Sequence, residues 1–280
     1  MRWLRVGLAP AACRRLQSGH WTAPSAAAVR GLVTAQKTKP VKRFYKAAQA
    51  DWNEDSRAWR VLLDGKPVRT PKGSLLFLPT EKLAESITAE WSAQDGTVRP
   101  QDMPLTTLAC TTLDLVQPEP AACVDRLIPY LMTDTLCFED GEEKVAQMQR
   151  AEWGPVRQWF EGHVGVTLAV TNGLLPPAHG EGTVESIREK LLGRSEWDLC
   201  SLEVATHTAK SLVVGLALLD REDVEVEDAL RWALLEEHLQ IERWGLVEGA
   251  HDVAHDEMLK WLVACRRFVA ARREGATADA

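Results

Sequence analysis

The chain has 280 residues, 45% of them hydrophobic, which is enough for one large core or two smaller ones and too apolar for an intrinsically disordered protein. Its formal net charge of −7 hides an asymmetry: residues 1–43 hold six Arg and three Lys, and no acid occurs before Asp51, so the remainder stands at −16. That acidic body, with few basic patches beyond Arg266-Arg267 and Arg272-Arg273, disfavours nucleic-acid binding, and no run of about 18 apolar residues exists to span a membrane.

Residues 1–38 are rich in Arg, Ala and Ser, and their apolar residues never run long enough for a secretory signal. This composition predicts a mitochondrial transit peptide, removed on import, with a plastid transit peptide or a plain disordered basic tail as the alternative. The six cysteines, at 13, 110, 123, 137, 200 and 265, form no CxxC pair. In a reducing compartment they read as free buried thiols, not as disulfides or zinc ligands.

From residue 42 to 79 the pattern is strand-like: RFYKAAQA, then WRVLLDGKPVRT, then SLLFLP. Asp64-Gly65 between two alternating runs predicts a hairpin, and Pro71-Lys72-Gly73 a second turn, giving a small antiparallel β module with Val61 and Leu63 on one packed face. From residue 80 to 273 the period is helical. Thr80 is placed to cap TEKLAESITAEW, where Leu83, Ile87 and Trp91 share a face, so Trp91 is expected to be buried where this helix meets the β module. Further helices are predicted at about 105–116, 121–135, 142–163, 181–194, 196–219, 225–245 and 250–273, interrupted by the Pro- and Gly-rich loop TLAVTNGLLPPAHGEG, and residues 274–280 read as a disordered tail. The fold class is therefore α+β, a small N-terminal antiparallel β module followed by a larger all-helical domain.

Three histidines and seven carboxylates crowd the stretch from Leu235 to Leu259, so a metal or carboxylate centre has to be weighed. The run His251-Asp252-Val253-Ala254-His255 imitates a zinc protease, but Asp is one methylene shorter than the Glu that such a site uses to reach the zinc-bound water. Glu248-Gly249-Ala250-His251 fits half of a di-iron carboxylate site, and the chain has no second E-x-x-H to complete it. The GxxxxGK[ST] phosphate loop and the GxSxG elbow are absent as well. No cofactor is expected. The remaining enzymatic alternative is a metal-dependent matrix hydrolase that uses the acids and histidines of 236–255.

Glu237 stands apart from the rest of this cluster. Leu234, Glu237, Ile241 and Trp244 are three and four residues apart, which sets an acid in the middle of an apolar stripe, with Gln240 beside it. An acid so placed is paired internally, to Arg243 or an Arg of another helix, or offered to a partner. Glu237, Gln240, Trp244, Leu234 and Ile241 are accordingly the candidate partner-binding residues.

The stretch LDGKPVRTPKGSLLFLPTEKLAESITAEWSAQDGTVRPQDMPLTTLACTTLD resembles the signature of the mitochondrial ATP synthase F1 complex assembly factor 2 family, in Asp64-Gly65, Thr70-Pro71, Glu90-Trp91, Ala93-Gln94 and Met103-Pro104-Leu105-Thr106. The resemblance continues through Thr133-Asp134-Thr135 and from Gln149 to Trp153, then through SLVVGLALL into LEEHLQIERWG, covering most of residues 42–252. Gly154 departs from the family's usual Asp, and Gly249 from a common aromatic or acidic residue. The resemblance implies a non-enzymatic chaperone of the mitochondrial matrix, expected as a monomer. Its partner would be the unassembled alpha subunit of the F1-ATPase, kept from aggregating until it pairs with beta.

Overall fold

The structure, a computed structural model, describes residues 41–173, 175–245 and 251–276, with the side chains of 251, 252, 275 and 276 outside the description. The expected transit peptide and most of the expected C-terminal tail therefore lie outside the described residues. The described residues fall into two compact units, divided between Asp114 and Leu115.

In the first unit β2 (Ala48–Asn53) and β3 (Ala58–Leu63) form an antiparallel hairpin with Trp52 opposite Trp59, and β3 is paired along its other edge by β4 (Lys66–Pro67) and β5 (Phe77–Leu78). A separate two-stranded pair joins β1 (Val41–Lys42) to β6 (Thr97–Val98). The predicted Asp64-Gly65 turn is present, with positive φ at both residues (48° and 78°), the backbone hand that suits a twisted hairpin. Asp64 serves the fold twice, since its carboxylate also accepts the backbone N–H groups of Lys46 and Ala47, and these bonds hold it below the usual carboxylate range. At the second predicted turn Gly73, with φ 95°, closes onto Thr70.

Helix α1 (Glu81–Ser92) begins as expected, with the Thr80 hydroxyl accepting from Leu83 N–H, and it packs on β2 and β3 through Leu83, Ala84, Ile87 and Trp91. Trp91 is buried and lies edge-on to Tyr45 at 5.6 Å. Glu90 reaches across to α2 (Pro104–Thr111), accepting from the N–H groups of Leu105 (2.7 Å) and Thr106 (2.8 Å) and from the Thr106 hydroxyl (2.7 Å). An anion thus meets the open donors and positive end of a helix N-terminus. Gln94 accepts from Arg99 N–H, and Asp114 accepts from the Thr70 hydroxyl and Lys72 N–H. The polar residues of the family-like stretch are therefore consumed in holding turns and helix ends. Glu90→Ala should cost about 1–2 kcal/mol of stability, as loss of a good helix cap does, and Glu90→Gln, which keeps one acceptor oxygen, less than Ala. Urea unfolding of the three proteins gives the ranking, and equal midpoints would contradict it. The helical domain expected from residue 80 is divided: the helices of 81–111 group with the sheet in the first unit.

The second unit is helical: α3 (Pro120–Met132), α4 (Glu143–Val164), α5 (Thr183–Leu192), α6 (Glu196–Ala209), α7 (Leu212–Asp220), α8 (Val226–Ala233), α9 (Leu235–Trp244) and α10 (His251–Ala276). Among the described residues no helix is long and apolar enough to cross a membrane. Helix α6 is the hub, packed by α3, α7 and α10, with ten of its fourteen residues buried. At its contact with α7 a side chain on Gly215 would place Cβ 2.7 Å from the Thr206 hydroxyl and 3.2 Å from the Thr206 nitrogen, so glycine permits the close approach.

The long helix expected at 196–219 is two helices. Lys210 ends α6 in the left-handed region, at φ 55°, and Ser211 caps α7 by accepting from Val214 N–H. Asp134 secures this break. Fully buried, it accepts from the Ser211 hydroxyl (2.7 Å) and from the N–H groups of Val213 (3.0 Å) and Leu136 (3.1 Å), while burial pushes its carboxyl up to about 6. The helix expected at 225–245 is also broken, at Leu234, whose backbone (φ −108°, ψ 9°) leaves the helical region. Trp153, wholly buried on α4, donates its indole N–H to the Trp232 carbonyl at 3.1 Å and so ties α4 to the end of α8. The five described cysteines are buried and none is joined in a disulfide, and burial pushes the Cys110 and Cys137 thiols up to about 12.

Candidate partner-binding site

The break at Leu234 reorganises the expected stripe. Leu234 and Leu235 turn into the core, at 4% and 7% exposure, so Leu234 belongs to the packing of the bundle and is separated from the face carried by α9. On that helix Glu237, Gln240, Ile241 and Trp244 fall on one side by their spacing. Gln240 is exposed, Ile241 half-buried, and Trp244 is 76% exposed, an unusual state for an indole.

About a hundred degrees round, Glu236 and Arg243, seven residues apart, face α4. Arg243 donates to both carboxylate oxygens of Glu142, at 2.7 and 2.8 Å. Glu236 accepts from Gln149 at 2.8 Å, and the Gln149 carbonyl accepts in turn from Asp140 N–H at 2.7 Å, which fixes which end of this fully buried amide points at α9. Desolvation raises the Glu236 carboxyl, with the Gln149 bond opposing it. Gln149 was visible in the sequence as a motif position, yet nothing local indicated that it would meet a residue 87 positions on.

Glu237 lies 3.0 Å from His255 Nε2 on α10, with its side chain 37% exposed. A carboxylate can only accept, so the proton of this bond sits on Nε2. The His238 ring stands edge-on to His255 at 5.6 Å. A histidine is thus an internal partner of Glu237, while Arg243, the partner suggested by sequence, goes to Glu142. The group combines an acid half open to solvent, a neutral amide and an exposed aromatic, which suits recognition of a protein surface. Among the described residues no group of three or more His, Cys, Asp and Glu is arranged to hold a metal ion. Glu248-Gly249-Ala250 and the side chains of His251 and Asp252, on which the zinc and di-iron readings drew, lie outside the described residues. Nothing in the described part of the 236–255 cluster supports the hydrolase alternative.

Comparison with known proteins gives a consistent picture. The family model described as "ATP12 chaperone protein" matches residues 42–161. The mitochondrial protein atp12 of Schizosaccharomyces pombe is 29% identical over 211 residues, covering 71% of this chain and 72% of that protein. The mitochondrial ATP12 protein of Saccharomyces cerevisiae is 23% identical over 263 residues, covering 79% and 81%. Among solved structures, the crystal structure of Atp12 from Paracoccus denitrificans superposes with a TM-score of 0.76 at 29% identity, over 83% of this chain and 99% of that one.

Proposed function

We propose, from the premise that this chain belongs to the ATP12 chaperone protein family, that it is a non-enzymatic assembly chaperone of the mitochondrial matrix, which holds the unassembled alpha subunit of the ATP synthase F1 sector until that subunit pairs with beta. A subunit missing its neighbour exposes an apolar surface prone to aggregation, and a chaperone that covers it needs complementary apolar and polar groups and no catalytic apparatus.

The observation that carries the location of the site is Trp244, three-quarters exposed on a helix whose other face is occupied by bonds to Gln149 and Glu142. Beside it, Glu237 keeps more than a third of its side chain open, so it can exchange or share its His255 partner with a donor of the alpha subunit. The test is capture of refolding alpha subunit by wild type, Trp244→Ala and Glu237→Gln, beside a thermal melt of each chaperone alone. Wild type should suppress aggregation of alpha, and each substitution should weaken capture by about tenfold, as loss of a contact residue does. The melt of Trp244→Ala should match wild type because its indole is solvated. Failure of wild type to capture alpha defeats the functional reading, whereas intact capture by both variants moves the site elsewhere.

A further inference from the structure

Helix α9 is attached to its surroundings in a way that sets it apart from the rest of the bundle. Leu235 is the one buried residue among its ten, whereas eight of the nine residues of α7 are buried and ten of the fourteen in α6. What holds α9 beyond Leu235 is largely polar: Arg243 to Glu142, Glu236 to Gln149, and Glu237 to His255. The first is well exposed, with side chains 44% and 48% accessible, so salt screens it readily. At the other end Gly245, at φ 87° and ψ 161°, ends the helix. Segments with few buried apolar contacts and solvated hydrogen bonds open locally at far lower cost than the global fold.

We propose that α9 is a charge-latched arm: it opens from the bundle as a unit while α6 and α7 stay folded, the Arg243–Glu142 pair sets how often it opens, and opening presents Leu235, Leu239 and Ile241 together with Trp244 to the client. This rests on the reading that α9 meets the alpha subunit, and adds to it the form in which the surface is offered. The closed helix shows one large aromatic; opening frees Leu235 and Leu239, which lie within about 40° of each other on the side of the helix away from Trp244 and Ile241, so the opened helix carries apolar groups on two faces and fits a client groove that encloses it. When the competent state is a minor population, apparent affinity is reduced by its fraction, so loosening the latch raises capture.

The experiment is amide hydrogen exchange on the full chain, in wild type and Arg243→Gln, at about 0.05 M and about 1 M salt, across which ionic screening contracts from over 10 Å to about 3 Å. The amides of Leu239 to Trp244 should exchange at least a hundredfold faster than those of α6. They should speed up a further threefold or so in Arg243→Gln or at high salt, as loss of one exposed ion pair predicts, with α6 unchanged. Capture of refolding alpha subunit by Arg243→Gln should strengthen by a similar factor. Exchange of α9 at the rate of α6, indifference of α9 to both salt and Arg243→Gln, or faster exchange without stronger capture would each overturn the arm. If Trp244→Ala and Glu237→Gln weaken capture but Arg243→Gln leaves it unchanged, the arm fails while the docking site stands. If none of the three affects capture, the docking site fails as well.

Discussion

Trp153→Ala should lower the stability of the folded chain by about 3–5 kcal/mol, the range for large aromatics deleted from a packed core. The ring is completely buried, so its loss leaves a cavity that neighbouring helices can only partly fill. A second cost is specific to the site: the Trp232 carbonyl loses its indole donor inside the protein, and an unpaired buried acceptor costs about 1–3 kcal/mol by itself. Trp153→Phe separates the two, since it keeps most of the volume and loses the donor, and should fall between alanine and wild type. Because typical domains are stable by about 5–15 kcal/mol, the alanine variant is expected to be marginal at physiological temperature. Urea unfolding followed by circular dichroism measures this, and midpoints coinciding with wild type would show that the α4 to α8 tie contributes nothing.

Gly215→Val is the other substitution expected to be severe, and it inverts the usual rule. Glycine inside a helix is ordinarily about 1 kcal/mol worse than alanine, so replacing it ought to help. Here even a single Cβ meets the Thr206 hydroxyl at 2.7 Å and the Thr206 nitrogen and Cα at 3.2 and 3.3 Å. The hydroxyl can rotate away, but the backbone of α6 cannot, being held on several sides by α3, α7 and α10. Overpacking of this kind costs about 1–3 kcal/mol. Gly215→Ala should therefore be destabilising by about 1 kcal/mol after its propensity gain is subtracted, and Gly215→Val by about 3 kcal/mol. Thr206→Ala/Gly215→Ala should recover part of the loss, because the hydroxyl is the nearest obstacle. A stabilised Gly215→Ala would mean that the two helices separate without cost.

Local chemistry made much of the first unit legible in the sequence. Asp64-Gly65 can only make its hairpin with positive φ at both residues, Thr80 had a free helix start to cap, and Leu83, Ile87 and Trp91 had one face to bury. The two helix breaks of the second unit were not legible, because their causes are remote or carry no breaker residue. Lys210 adopts a left-handed conformation that its side chain does not favour, and the α7 start beside it is secured by Asp134, some 77 residues earlier in the chain. Leu234 interrupts two amphipathic stretches with no Gly or Pro nearby, and both Leu234 and Leu235 are buried at the break.

The candidate site was half readable for the same reason. An acid set among Leu, Ile and Trp at helical spacing had to find a partner, so Glu237 drew attention from sequence alone. Which partner it found depended on the fold: Arg243 is turned toward Glu142, and His255 arrives from the next helix. Ascribing Leu234 to the same stripe assumed one continuous helix, and the break removes it from that face.

The buried thiols have a practical consequence. Alkylating reagents attack the thiolate; all five described cysteines are buried, and burial pushes the thiols of Cys110, Cys123, Cys137 and Cys265 up, so these five should be nearly silent to maleimides or iodoacetamide at neutral pH. In a form beginning after residue 38 those five are the whole cysteine complement, since Cys13 is gone. A cysteine installed on α9 would then take a fluorophore at one address without any background removal. Conversely, alkylation of the native five would count molecules that have opened their cores, which gives a direct way to tell whether handling a client loosens the chaperone's core.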